Sequence, residues 1–247
     1  MDMYKNLEEQ RRFWNRWNAQ YRSGSWMPSG VYGRQAEMVK YWISALGRTD
    51  LDILEVGCGS GWLSYRLANF GKVTGTDLAN DVLPPSQAAS GGPTFIPGDF
   101  FDLDLPASAF DVVVSLEMLA HVEDPVAFVD KIAGLLRPGG CLMLATQNKF
   151  TLSRWSEVAP QAPGQIRKWV DAGELRRLLG SRLKVELLTS IYPVGDRGIL
   201  RWINAHKITA ALSLVVSRNK IDAAKERLML GHTLMALARK PLTGAPA

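Results

Sequence analysis

The sequence predicts an α/β fold: a doubly wound, seven-stranded, mostly parallel sheet. Three observations predict it. From residue 51 onward, short apolar runs alternate with helix-spaced segments, which is how parallel strands with crossover helices read. The run FDVVVSLEML at 110–119 holds a strand that is apolar at nearly every position, as expected when helices cover both sheet faces. A glycine-rich loop, within ILEVGCGSGWL at 53–63, follows the first strand, at the edge where such sheets take ligands.

Residues 4–22 are predicted helical, with Leu7, Trp14, Trp17 and Tyr21 on one face and Phe13 beside them. Gly, Ser and Pro make 23–33 a loop. A second helix is expected at 34–47, stopped by Gly47. LDILEV (51–56) is the first strand, and the glycine loop leads into a helix over about 61–70. KVTGTDL (72–78) is the second strand; 80–93 starts helical and is broken by Pro84, Pro85 and Gly91–Pro93. TFIPGD (94–99) is the third strand, ahead of the apolar fourth.

Asp124–Pro125 opens the next helix, with Asp as N-cap and Pro at the first helical position. Val129, Ile132, Ala133 and Leu136 keep helical spacing up to Pro138–Gly139–Gly140, which turns into CLMLATQ (141–147), the fifth strand. Asp171 with Glu174 forms a capping box for a helix that stops at Gly180. KVELLTS (184–190) and HTLMALARK (232–240) are the last strands. The forty or so residues between them are too many for a hairpin and contain two helix-like segments, roughly 197–217 and 219–230.

With 247 residues, 47% hydrophobic and 21% charged, the chain suits one domain over 1–247. An N-terminal helical cap (1–33) and a helical lid insertion (191–231) are the expected additions. Cys58 and Cys141 are too few for a disulfide framework, so a reducing, cytoplasmic setting is expected. The charged start has no apolar signal region. The apolar run at 208–216 is far shorter than the ~20 residues of a membrane span. The formal charge of +5 is spread along the chain, without Lys/Arg clusters interleaved with aromatics. No nucleic-acid partner is expected, and no metal.

The glycine loop decides the ligand class. A phosphate-binding P-loop needs Lys-Ser or Lys-Thr after its last glycine, and none follows. A dinucleotide fingerprint needs a third glycine one helical turn in, where this chain has Trp62. Glu55 ends the strand before the loop. A carboxylate there repels a pyrophosphate and suits a cationic amino acid ligand.

The pattern E-V-G-C-G-S-G, with Gly57, Gly59 and Gly61, resembles the first motif of class I S-adenosylmethionine-dependent methyltransferases. Asp77 closes the second strand, Gly98–Asp99–Phe100 follows the third, and LLRPGGCLML (135–144) resembles the family's turn into its fifth strand. Asp124–Pro125 and KWVDAGELRRLL (168–179) resemble the branch that includes the ubiquinone-biosynthesis O-methyltransferases. The resemblance implies a Rossmann-like methyltransferase fold with S-adenosylmethionine as cofactor. It implies contacts to the cofactor from Glu55, the three loop glycines, Asp77 (ribose) with Leu78, Asp99 (adenine amino group) with Phe100, and Leu116. The implied activity is methyl transfer to a small molecule, at oxygen rather than nitrogen by branch. N-methylation, or an inactive binding protein on the same fold, is the alternative.

The sulfonium methyl is already electrophilic, so such a protein must align a nucleophile and exclude water. A general base helps a hydroxyl nucleophile. His121 is the one histidine near the motifs, and either serves as that base or only hydrogen-bonds the adjoining loop. Glu117 reads as a solvated helix residue, and His232 as structural. Trp14, Trp17, Tyr21, Trp26, Tyr32, Trp155, Trp169, Tyr192 and Trp202 fall in lid or carboxyl-edge segments. As a set they suggest an apolar or aromatic substrate pocket, with Arg197 and His206 as polar contacts. A peripheral membrane contact through 199–216 is a further possibility of the sequence.

Overall fold

The computed structural model describes residues 3–21, 29–87, 90–193, 197 and 218–242. Helices α1 (Met3–Tyr21) and α2 (Gly30–Ser44) precede strand β1 (Leu51–Val56). After the glycine loop come α3 (Ser64–Leu67), β2 (Gly71–Asp77), β3 (Thr94–Pro97) and β4 (Phe110–Leu116). The second half runs α4 (Pro125–Leu135), β5 (Leu136–Gln147), α5 (Lys149–Trp155), α6 (Ala172–Gly180), β6 (Lys184–Pro193), α7 (Arg218–Arg227) and β7 (Gly231–Arg239).

The sheet has seven strands in the order β3-β2-β1-β4-β5-β7-β6. β1 to β5 pair in parallel, while β7 runs antiparallel to both β5 and β6. The order reverses between β1 and β4, which opens a crevice at the carboxyl edge. The central strands β1, β4 and β5 are apolar at most positions because they serve two cores. Leu54, Val56, Val113, Leu142 and Leu144 join Phe128, Val129, Ile132, Leu175 and Leu179 on the face of α4 and α6. Their neighbours Ile53, Val112, Val114 and Met143 join Val39, Trp42, Ile43 and Leu67 on the face of α2 and α3. Successive residues of one strand point to opposite faces, so both parities must be apolar.

The expected caps form. Asp124 accepts from the Val126 and Ala127 amides, and Asp171 with Glu174 makes a reciprocal capping box. The helix expected over 61–70 is shorter. Gly61 has φ +72°, so helix begins only at Ser64, and a 3-10 turn at Ala68–Phe70 delivers Gly71. The helical start expected after residue 80 is a 3-10 turn, Asn80–Val82, ended by the prolines that follow. β5 begins five residues before the expected strand because Leu136 already pairs with Phe110. The second helix begins at Gly30 rather than residue 34. The expected lid falls mostly outside the described residues: only 191–193, 197 and 218–231 of it can be placed, and α7 packs on β6.

Candidate functional site

A cavity of about 650 Å³ opens at the carboxyl edge of the sheet, under α1. Its floor on one side comes from the loops after β1, β2 and β3. Gly57 and Gly59 line it at φ +79° and +54°, conformations that cost a residue with a side chain. A Cβ on Gly57 would also meet Met118 at 3.2 Å. The Gly57 and Cys58 amides bond the Thr76 carbonyl at 2.8 and 3.0 Å, tying the loop to β2. Gly61 does not line the cavity. A Cβ there would meet the Phe95 ring at 2.6 Å, so this glycine permits close packing of the loop on β3.

Asp77 lines the cavity with its carboxylate held by two backbone amides, Gly59 at 2.6 Å and Ala79 at 2.7 Å. Leu78 and Leu116 line it too. Asp99 lines it and caps its own turn, accepting from the Phe101 amide at 3.1 Å. Lys131 braces this turn through the Phe101 and Leu103 carbonyls at 2.9 and 2.8 Å. Phe100 borders the cavity, but its ring is 2% exposed and packs edge-on to Phe128 at 5.5 Å. Glu55 stays behind the wall: it is 3% exposed and accepts the Ser64 hydroxyl. Buried carboxylates need such partners.

The other half of the cavity is built by α1, the 3-10 turn Leu119–His121 and the segment 157–169. That segment is laid along the turn by the Lys168 amide on the Ala120 carbonyl at 2.7 Å. Gly164, φ +79°, lets it touch α1, since a Cβ would lie 2.5 Å from the Glu9 carbonyl oxygen. α1 is fastened from its far side by Asn15, whose amide donates to Asp81 at 2.7 Å. Trp14, Trp17 and Tyr32 line the cavity.

His121 lines it as well, with Nδ1 2.7 Å from the Ile166 carbonyl oxygen. A carbonyl only accepts, so Nδ1 carries the proton and Nε2 keeps the lone pair. Burial pushes its pKa below the ordinary histidine value; the Ile166 bond opposes this and the Arg167 charge adds to it. The imidazole is therefore neutral at pH 7. Carboxylates such as Asp77, Asp99, Glu117 and Glu157 line the cavity against the guanidinium of Arg167. The field inside favours a cation, although the chain as a whole is basic.

Not every expected contact converges. Trp155, Tyr192 and Arg197 do not line the cavity. Tyr192 is exposed, and Arg197 pairs with Glu157. The side chain of Tyr21, and Trp26, Trp202, His206 and 199–216, lie outside the described residues. The reading of Glu117 is corrected. Glu117 is not a solvated helix residue: it directly follows β4 at φ +63°, lines the cavity and accepts from Gln35 and Thr233. His232, read as structural, lines the cavity too. Gln147 and the stretch 157–167, Arg167 included, carried no motif, and only their position at strand ends or beside the His121 turn could have flagged them.

Residues 54–144 match the family model described as methyltransferase domain. A ubiquinone biosynthesis O-methyltransferase of Pseudoalteromonas translucida is 37% identical over 110 residues, 42% of this chain and 46% of that protein. The chain thus spans about half the length of the curated relatives it matches. A putative sarcosine dimethylglycine methyltransferase from Galdieria sulphuraria has a TM-score of 0.61 at 14% identity, over 93% of this chain and 99% of that one. A Haemonchus contortus phosphoethanolamine N-methyltransferase, solved in complex with S-adenosyl-L-methionine, has a TM-score of 0.59 at 15% identity, over 93% and 56%. Residues 54–144 thus carry a methyltransferase domain, and the chain has the Rossmann-like fold of S-adenosylmethionine-dependent methyltransferases. Over that region its sequence is similar to ubiquinone biosynthesis O-methyltransferases. Among the described residues there is no cluster that could hold a metal, and no helix is long and apolar enough to cross a membrane.

Proposed function

We propose that the chain transfers a methyl group from S-adenosylmethionine to a small-molecule acceptor, at an oxygen of an aromatic or apolar compound. One observation carries the reading. A single cavity joins the glycine loop, Asp77 and Asp99 on one side to His121, with Nε2 as acceptor, on the other. The residues fit the cofactor. Gly57 and Gly59 leave room for close approach, Asp77 offers an anchored carboxylate for ribose hydroxyls, and Asp99 offers one for the adenine amino group. When bound, the sulfonium supplies an electrophilic methyl. The chain does the rest: α1 roofs the cavity with Trp14 and Trp17 and excludes water, and His121 Nε2 takes the proton of the acceptor hydroxyl. The aromatic wall holds the acceptor's apolar body.

A second reading, N-methylation, is favoured by Glu117 in the cavity wall, because a carboxylate suits an amine acceptor. Titration calorimetry with S-adenosylmethionine, S-adenosylhomocysteine and NAD tests the cofactor. Micromolar binding of the first two without NAD binding supports it, and no heat from either overturns it. Labelled-methyl transfer to phenol, catechol and amine panels then separates oxygen from nitrogen.

A further inference from the structure

His232 has no part in the transfer outlined above, yet it lines the same cavity. Its state follows from its neighbours. The end of β4 and the start of β7 come together across β5: the Glu117 amide bonds the Ala145 carbonyl at 2.9 Å, and Gln147 lies opposite Thr233. The Thr233 hydroxyl donates to Glu117 Oε1 at 3.0 Å, and the Gln35 amide donates to that same oxygen. A hydroxyl has one proton, and this one is used on the carboxylate. His232 Nδ1, 3.1 Å from the same hydroxyl oxygen, must therefore be the donor to it. Nε2 is left as a hydrogen-bond acceptor. Burial keeps this ring neutral by lowering its pKa. Among the described residues the cavity thus holds two imidazoles, His121 and His232, each with its proton directed away from Nε2 by a separate partner.

We propose that His232 is a specificity-determining residue of the acceptor site: held by Thr233 and Glu117, its Nε2 accepts a hydrogen bond from a second protic group, O–H or N–H, on the acceptor. The inference rests on the methyl-transfer reading and deepens it. One imidazole serves the group to be methylated, and the other reads a neighbouring donor. A buried acceptor left unmatched discriminates against analogues that lack the donor.

Long-range proton–nitrogen NMR of the histidine rings tests the relay without any ligand. His232 is expected protonated at Nδ1, with a mixed tautomer in Thr233→Val and His121 unchanged. Protonation of His232 at Nε2 in the wild-type protein overturns the proposal. Resorcinol and 3-methoxyphenol then probe recognition, titrated into the protein saturated with S-adenosylhomocysteine. The wild type is expected to bind resorcinol about five- to tenfold more tightly. His232→Phe should abolish that preference while its affinity for S-adenosylhomocysteine is kept. Equal affinities in the wild type, a preference that survives in His232→Phe, or binding of neither probe overturns it. Failure of S-adenosylhomocysteine to bind at all is a failure of the methyl-transfer reading instead, and the ring spectra still decide the relay.

Discussion

Trp14 meets His121 edge-on, with ring centroids 4.7 Å apart. The contact joins the roof of the cavity to the turn whose imidazole is held by the Ile166 carbonyl, so the packing of α1 and the placement of His121 are one arrangement. Trp14→Ala should raise KM for the acceptor by about tenfold, from lost aromatic packing, and lower kcat less. Steady-state kinetics on the best acceptor checks this; a kcat loss with KM unchanged would place Trp14 outside acceptor binding.

His121→Gln removes the proposed base while leaving a polar side chain near the Ile166 carbonyl. kcat should fall by about 10²-fold or more, with S-adenosylhomocysteine affinity unchanged. If kcat holds for a phenolic acceptor, the histidine only fastens the 157–169 segment.

Asp77→Ala should weaken S-adenosylhomocysteine binding by ~1.5–3 kcal/mol. The Gly59 and Ala79 amides lose their acceptor in the same change, so the thermal midpoint should be followed alongside. Unchanged affinity in calorimetry would mean that the ribose sits elsewhere.

Gly61→Ala is expected to act on stability. Its φ is +72° and a Cβ would press the Phe95 ring at 2.6 Å, an overpacking that costs ~1–3 kcal/mol. Denaturant unfolding should show a lower midpoint with an unchanged slope.

His121 and His232 both have pKa values lowered by burial from the ordinary 6.5. The unfolded chain therefore binds more protons than the folded protein between the lowered values and 6.5. Their contribution to stability is present above 6.5 and is lost as pH falls through the folded values. Thermal midpoints taken from about pH 8 to pH 5 should drop over the acid part of that range. The drop should shrink in the double variant His121→Gln, His232→Gln.

Much of this was legible in the sequence for local reasons. Asp124–Pro125 and the Asp171/Glu174 box are caps whose partners lie within three residues, so spacing alone announces them. Gly57, Gly59 and Asp77 sit at strand ends in a pattern that resembles a family motif. Glu117 was misread because its partners, Gln35 and Thr233, are 82 and 116 residues away. Glu55 was expected to face the ligand, and its buried bond to Ser64 shows that an acid at a strand end can equally brace the loop behind the wall.

By itself the sequence determined the elements of the doubly wound sheet. Strand alternation, helix caps and glycines at positive φ are set by the residue and its near neighbours. Only the tertiary structure decided which polar groups share a cavity. Strand order brings β4 beside β5 and β5 beside β7, and that places Glu117 within reach of Thr233, whose hydroxyl also meets His232. The 157–167 stretch, with no motif of its own, gives His121 its carbonyl partner, Ile166, and so fixes its tautomer. Hydrogen bonds between distant segments depend on register and strand order, and neither is written in the spacing of residues along the chain.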